Sequence, residues 1–244
     1  MLAVEVSAII DGAISADDGF GDGMVPTQHT DEIPLAKPVA EIPEGSLTAL
    51  RRKARDCRAC DLWKHATQTV FGEGPANARI MLIGEQPGLQ EDHEGAPFVG
   101  PAGKLLDRAL DEAGIDRSQV YVTNTVKHFK YEPRGKLRLH KRANATEQEA
   151  CRMWLAAELV RIKPKVIVAL GAMAAQTLFG SAFSVTRERG RWRALAGGAV
   201  GFATFHPSAV LRAPEERRAE LYRELVHDLA AIKAHGEGEP HRES

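Results

Sequence analysis

The side chains able to do chemistry fall into two groups. Cys57, Cys60, Cys151 and His128 are potential metal donors, while Asn124, His140, His206 and the run Gly84-Glu85-Gln86-Pro87-Gly88 offer imidazoles, amides and a carboxylate. Groups of the second kind stabilise developing charge or attack carbon. Cys57-x-x-Cys60 taken alone is equally a redox pair, half of a zinc site or a structural pair. A redox pair belongs at a helix start within a βα unit, where the dipole lowers the thiol pKa. This pair instead follows a helical pattern and precedes the first strand. With Cys151 there are three thiolates, and His128, just past a strand, is the candidate fourth ligand, since imidazole can replace thiolate on an iron-sulfur cluster. Spacing does not separate zinc from such a cluster.

Each of the remaining motifs also has a plain reading. The Gly84–Gly88 run is compatible with a tight turn and matches neither the dinucleotide nor the P-loop glycine pattern. Phe98, in Pro97-Phe98-Val99-Gly100-Pro101-Ala102-Gly103, is either a core ring or a platform on which a base can stack. His206, in His206-Pro207-Ser208-Ala209-Val210-Leu211-Arg212, is often the kind of histidine that only hydrogen-bonds locally. The segment 134–142 carries Arg134, Lys136, Arg138, Lys141 and Arg142 with His140; by itself it reads as a solvated basic loop.

The elements that must position these residues alternate in type. Short apolar runs at 78–84, 120–126, 166–170 and 200–205 have the character of strands buried on both faces. Helical patterns at 46–54, 103–113, 146–162, 172–179 and 214–234 surround them, with Ser46 as a cap, Thr146 and Glu149 as a capping box, and Pro214 at a first helical position. The expected fold is α/β: a three-layer α/β/α sandwich around a central, mainly parallel four-stranded sheet. Gly84, Asn124, Gly171 and His206 then fall at the carboxyl ends of four strands, the edge where open α/β sheets bind ligands.

Composition sets the boundaries. Residues 1–45 hold nine Asp/Glu and one Lys, a charge of −8, which leaves +7 on the rest of a chain whose formal net charge is −1. The first 45 residues are expected to be an acidic disordered tail, 46–235 one domain, and 236–244 a flexible end. A basic domain suits a phosphate backbone. Three cysteines argue against a disulfide framework and for a reducing, cytoplasmic setting. The N-terminus lacks a basic leader, and no apolar run reaches the ~20 residues of a membrane span.

Taken together, GEQPG, PFVGPAG, TNTVKHF, the GKLRLHK loop, EACRMWL and HPSAVLR resemble the motif set of the uracil-DNA glycosylase superfamily over about residues 46–233. The cysteine pattern is similar to that of its iron-sulfur branch, in which a third cysteine stands where this chain has His128. The Gln of GEQPG and the inserted basic loop resemble the X-type enzymes that crosslink to DNA, whose loop reads Lys-Arg-Arg-Ile-His. Here it reads Lys136-Leu137-Arg138-Leu139-His140, with the histidine in register.

The resemblance implies excision of uracil from DNA, with His140 attached covalently to the abasic sugar, in DNA repair. By the same resemblance Glu85 orients or deprotonates His140, Gln86 contacts base or sugar, and His206 hydrogen-bonds the uracil O2 region. Asn124, Phe98 and Gly84 form the uracil site. Arg134, Lys136, Arg138, Lys141, Arg142, Ser208 and Arg212 contact DNA. Cys57, Cys60, His128 and Cys151 ligate an iron-sulfur cluster of the 4Fe-4S kind. The implied partner is single-stranded uracil-containing DNA, met by a monomer. The alternatives are a conventional turnover glycosylase and a non-catalytic iron-sulfur damage sensor.

Overall fold

A computed structural model describes residues 33–135 and 137–237. Most of the acidic stretch, Lys136 of the basic segment and the last seven residues lie outside them. Four strands run parallel: β1 (Ile80–Gly84), β2 (Val120–Asn124), β5 (Val166–Leu170) and β7 (Val200–Thr204). They stand in the order β2-β1-β5-β7, and a fifth, two-residue strand β6 (Arg193–Ala194) joins the β7 edge antiparallel. The four expected strands are thus the parallel ones. β6 carries no apolar pattern, because both its residues face solvent. A separate ribbon pairs β3 (Tyr131–Arg134) with β4 (Leu137–His140).

The pleat sorts strand side chains onto two faces. Met81, Ile83, Tyr121, Ile167, Ala169 and Ala203 pack with α4 (Ala145–Ile162) and α5 (Ala172–Phe179). Leu82, Val120, Val122, Val168, Leu170 and Phe202 pack with α3 (Pro101–Glu112), α7 (Pro207–Arg212) and α8 (Glu215–Glu237). The result is three layers. A third, smaller cluster joins α1 (Leu47–Arg55) to α4 through Leu50, Ala54, Trp154 and Ala157, and it includes Cys151. Short helices α2 (Leu89–Glu94) and α6 (Val185–Glu188) complete the chain.

Three local expectations are adjusted. Residues 33–45, assigned to the tail from their acidity, place Ile33 and Val39 in the core, so apolar burial overrides composition there. The capping box of α4 is Asn144 with Glu147 rather than Thr146 with Glu149. The Asn144 side chain accepts from the Glu147 N–H at 2.9 Å, and Glu147 Oε2 accepts from the Asn144 N–H at 2.7 Å. α8 runs to Glu237, two residues past the expected domain end. Among the described residues no helix is long and apolar enough to cross a membrane.

The strand ends are tied to α4 by a fully buried ion pair. Lys127 Nζ lies 2.6 Å from Glu158 Oε2, both side chains having no exposure. The ammonium also donates to Thr123 Oγ1 at 2.6 Å and to the Asn124 carbonyl at 2.8 Å. Glu158 accepts as well from the Tyr121 hydroxyl and the Gly72 N–H. Removing one partner of such a pair leaves a buried charge uncompensated. Glu158→Ala is therefore expected to cost about 3–5 kcal/mol in urea unfolding. Lys127→Met combined with Glu158→Leu should recover most of that loss, but not all, because Tyr121 and Gly72 lose their acceptor.

Candidate active site

The carboxyl ends of the strands surround a cleft of about 640 Å³. Glu85, Gln86, Phe98, Asn124, His140, Arg142, His206, Ser208 and Arg212 all line it, so most of the residues expected to act together do meet. Gly84 lies beneath them. A Cβ there would come within 2.4 Å of Asn124 Oδ1 and 2.6 Å of Phe98 Cζ, so its lack of a side chain lets the amide and the ring close over the strand end. Phe98 is held at φ 58°, a left-handed conformation costly for an aromatic residue. The turn behind it requires Gly103, whose Cβ would overlap the Phe98 carbonyl oxygen at 1.6 Å. The Phe98 and His206 rings are stacked, 6.0 Å between centroids and 26° between planes.

The hydrogen bonds of His206 fix its tautomer. Its Nδ1 accepts from the Ser208 backbone N–H at 3.1 Å, which leaves the proton of the neutral ring on Nε2. Burial, helped by the charge of Arg212 and by the nearby His140 whenever that ring is protonated, pushes its pKa down to about 4. His206 is thus a neutral imidazole with an N–H to donate. Asn124 is buried at the end of β2, and among the described residues its side chain makes no hydrogen bond. Its amide thus keeps an acceptor and two donors for a ligand.

His140 closes β4 and is exposed as a whole residue, yet its ring reaches the cleft and lies 6.0 Å from that of Phe129. Burial of the ring lowers its pKa, Glu85 opposes this, and Arg212 adds to it. The lone pair of a neutral ring nitrogen is what a nucleophile requires. The Glu85 carboxylate also faces Arg142, with Oε1 3.9 Å from Nε.

Two expected ligand contacts are engaged within the protein. The Gln86 amide accepts from the Ala143 N–H at 2.9 Å and donates to the Lys141 carbonyl at 3.1 Å. It thereby clamps the base of the β3–β4 ribbon, with little of the residue exposed. Arg138, expected on phosphate, lies 3.3 Å from the buried Asp92 carboxylate and covers the Tyr131 ring at 4.9 Å. Its guanidinium faces the body of the protein because Asp92, whose other contacts are to Thr67, needs a counter-charge. Arg134 and Lys141 stay on the ribbon outside the cleft, and Lys141 meets Glu132 at 3.2 Å.

Glu91 was not anticipated. Its carboxylate accepts from the N–H groups of Gly88 and Gly100, at 3.0 and 2.8 Å, and so binds the Glu85 loop to the Phe98 loop. It sits in the charged run Gln90-Glu91-Asp92-His93-Glu94, which reads as surface although Glu91 and Asp92 are both buried. A Glu three residues past the glycine that precedes a helix was the available signal.

The cysteines stand apart from this cleft, around α1 and α4. Cys151 is buried and Cys57 and Cys60 are half-buried. Cys57 Sγ accepts from the Trp154 indole N–H at 3.2 Å, and Cys151 Sγ from the Lys127 backbone N–H at 3.1 Å. Burial pushes the Cys151 thiol up to about 12 and raises Cys60 as well, so ionised sulfur there requires a bound cation. His128 is buried next to Thr69, whose hydroxyl donates to the Ala54 carbonyl at 2.9 Å and so must accept from His128 Nε2, also at 2.9 Å. That bond leaves Nδ1 unprotonated and able to ligate. Among the described residues no three His, Cys, Asp or Glu side chains already stand in metal-binding geometry. The donor set nonetheless fits an iron-sulfur cluster in its chemistry, with three thiols, one imidazole and N–H donors to sulfur.

Comparison with known proteins bears on the same residues. The chain is 38% identical over 192 residues to a type-4 uracil-DNA glycosylase of Thermotoga maritima, spanning 78% of this chain and 95% of that protein. It is 38% identical to one from Sulfurisphaera tokodaii, over 71% of this chain and 79% of that protein. A type-5 uracil-DNA glycosylase of Pyrobaculum aerophilum is 26% identical over 76% of this chain and 88% of its own length. The family model for the Uracil DNA glycosylase superfamily matches residues 71–230, from the segment bridging the edge of β2 into α8 and across every strand end described above. On both counts the chain belongs to the uracil DNA glycosylase superfamily.

Proposed function

We propose that this protein excises uracil from DNA, in DNA repair, and stays covalently attached to the abasic sugar through His140. The observation that carries the reading is one cleft holding two imidazoles in different roles. His206 is half-buried, neutral and a donor; His140 is neutral and reaches the cleft from an inserted ribbon. A flipped uracil would stack on Phe98, with its N3–H and O4 read by the Asn124 amide.

Cleavage of the bond between the sugar C1′ and uracil N1 sends the electron pair to the base. The His206 N–H meets the negative charge that develops on O2. The sugar becomes oxocarbenium-like, and a ring nitrogen of His140 donates its lone pair to C1′. The alkylated imidazole is then cationic, and it passes its remaining N–H proton to Glu85 or to water while the departing uracil anion takes up a proton. The substrate we favour is single-stranded uracil-containing DNA met by a monomer, with Arg134, Lys136, Lys141, Arg142, Ser208 and Arg212 about the phosphates. Arg138 acts through the ribbon. A 4Fe-4S cluster held by Cys57, Cys60, His128 Nδ1 and Cys151 would tie the ends of the ribbon segment to the core and serve a structural role.

Incubation with a uracil-containing single-stranded oligonucleotide, followed by a denaturing gel, should yield a heat- and detergent-resistant protein-DNA band. Free abasic product without that band would instead select ordinary turnover, and DNA binding without base loss a damage sensor. His140→Ser should lose the band and retain uracil release. His206→Ala should slow uracil release by about 10²–10³-fold, the usual effect of removing one oxyanion donor.

Adduct formation has its own pH dependence. Because burial lowers the His140 pKa, its single-turnover rate should hold below the ordinary imidazole value of ~6.5 and fall only in more acidic buffer, where the lone pair is protonated. A midpoint at or above that value contradicts the assignment. For the cluster, iron and visible absorbance should be lost in Cys151→Ser and diminished in His128→Ala. A colourless protein with stoichiometric zinc rules the cluster out.

A further inference from the structure

The β3–β4 ribbon has two unlike faces. Its register sets Tyr131 opposite His140 and Pro133 opposite Arg138, so these four share one face. Glu132, Arg134, Leu137 and Leu139 share the other. The first face is occupied, by Phe129 against His140 and by Asp92 against Arg138. On the second, Leu137 is 65% exposed and Leu139 43% exposed. Two of the five large apolar side chains exposed among the described residues therefore lie on one four-residue strand. Exposed ribbons usually carry charge at such positions, which keeps them from pairing with other chains.

We propose that Leu137 and Leu139 form an apolar platform for the nucleobase that flanks the extruded uracil, an inference that rests on the function proposed above. Position and charge both favour a base as the occupant. Leu139 precedes His140 directly, on the opposite face of the ribbon, and at a rise of about 3.3 Å per residue Leu137 lies about 10 Å from His140 along the strand, within reach of the first neighbouring nucleotide. Arg134 on the same face and Lys141 and Arg142 just beyond can neutralise phosphates while the leucines take the base. Extrusion of the uracil deprives its neighbour of a stacking partner, and leucine is among the side chains that fill such gaps in DNA complexes. An aliphatic platform makes no hydrogen bonds to base edges, so it should accept any flanking base.

The test uses the full-length protein with its cluster and single-stranded oligonucleotides carrying one uracil beside the fluorescent base 2-aminopurine. Wild-type binding should change the fluorescence of the flanking base. Leu137→Thr with Leu139→Thr, which keeps strand-forming residues, should abolish that change and weaken binding by about tenfold, comparable to losing one modest apolar contact. The slope of log affinity against log salt should stay the same, since no cation is removed. Uracil release at saturating DNA should persist. Leu137→Trp, with a larger surface, should bind more tightly. Unchanged DNA affinity in the Thr variant overturns the platform and points to a protein partner for this face. A loss accompanied by a shallower salt slope also overturns it, since phosphate contacts would then be what was lost. Should wild type bind but release no uracil, the glycosylase reading fails, while the fluorescence still reports on the platform.

Discussion

The buried contact between Lys127 and Glu158 is the constraint around which the site is assembled. A charge pair with no solvent exposure is tolerated only when its remaining hydrogen-bonding capacity is filled. Thr123, Tyr121, the Gly72 N–H and the Asn124 carbonyl fill it. Those partners belong to β2 and to the segment bridging its edge, while Glu158 belongs to α4. The same helix carries Cys151, whose sulfur accepts from the backbone N–H of Lys127. One network thus fixes the strand end that presents Asn124, the helix beneath it and one cysteine in a single arrangement.

Around that frame the cleft keeps its two imidazoles neutral. His206 is half-buried with its Nδ1 committed to a backbone N–H, and both it and His140 feel the positive charge of Arg212. Burial and a nearby cation act in the same direction, keeping protons off two imidazoles in a basic surface region. A neutral donor for a developing anion and a neutral lone pair for a developing cation suit heterolysis of a glycosidic bond. The glycines contribute by absence: Gly84 and Gly103 permit the close packing of Phe98 and Asn124 that a side chain would block.

The ribbon converts a basic loop into a positioned one. Gln86 satisfies its amide on the ribbon base, and Asp92 draws Arg138 inward, so His140 is carried on two antiparallel strands fastened at both ends. Side chains of phosphate-binding type here hold the ribbon in place, Arg138 against Asp92, Lys141 against Glu132 and Arg142 facing Glu85.

The four parallel strands and the principal helices were legible because their apolar runs are long and buried on both faces, as Val166–Leu170 and Ala172–Phe179 illustrate. The placement of Gly84, Asn124 and His206 at strand ends followed from the same pattern, and the motifs pointed to the superfamily. Other features depended on partners distant in sequence. Gln86 clamps residues more than forty positions away, Asp92 and Arg138 are 46 apart, and Ile33 and Val39 lie in the core despite their acidic surroundings. The two-residue β6 is exposed, and the β3–β4 ribbon covers its inner face with polar and charged side chains such as His140 and Arg138, so neither left an apolar periodic signal. The sequence by itself determined the layers and the identity of the chemically able side chains, because local periodicity and motif spacing encode both. Only the tertiary structure decided which of those side chains face the cleft and which spend their polar atoms inside the protein, because each buried donor, acceptor or charge must be satisfied by whatever the fold brings within reach.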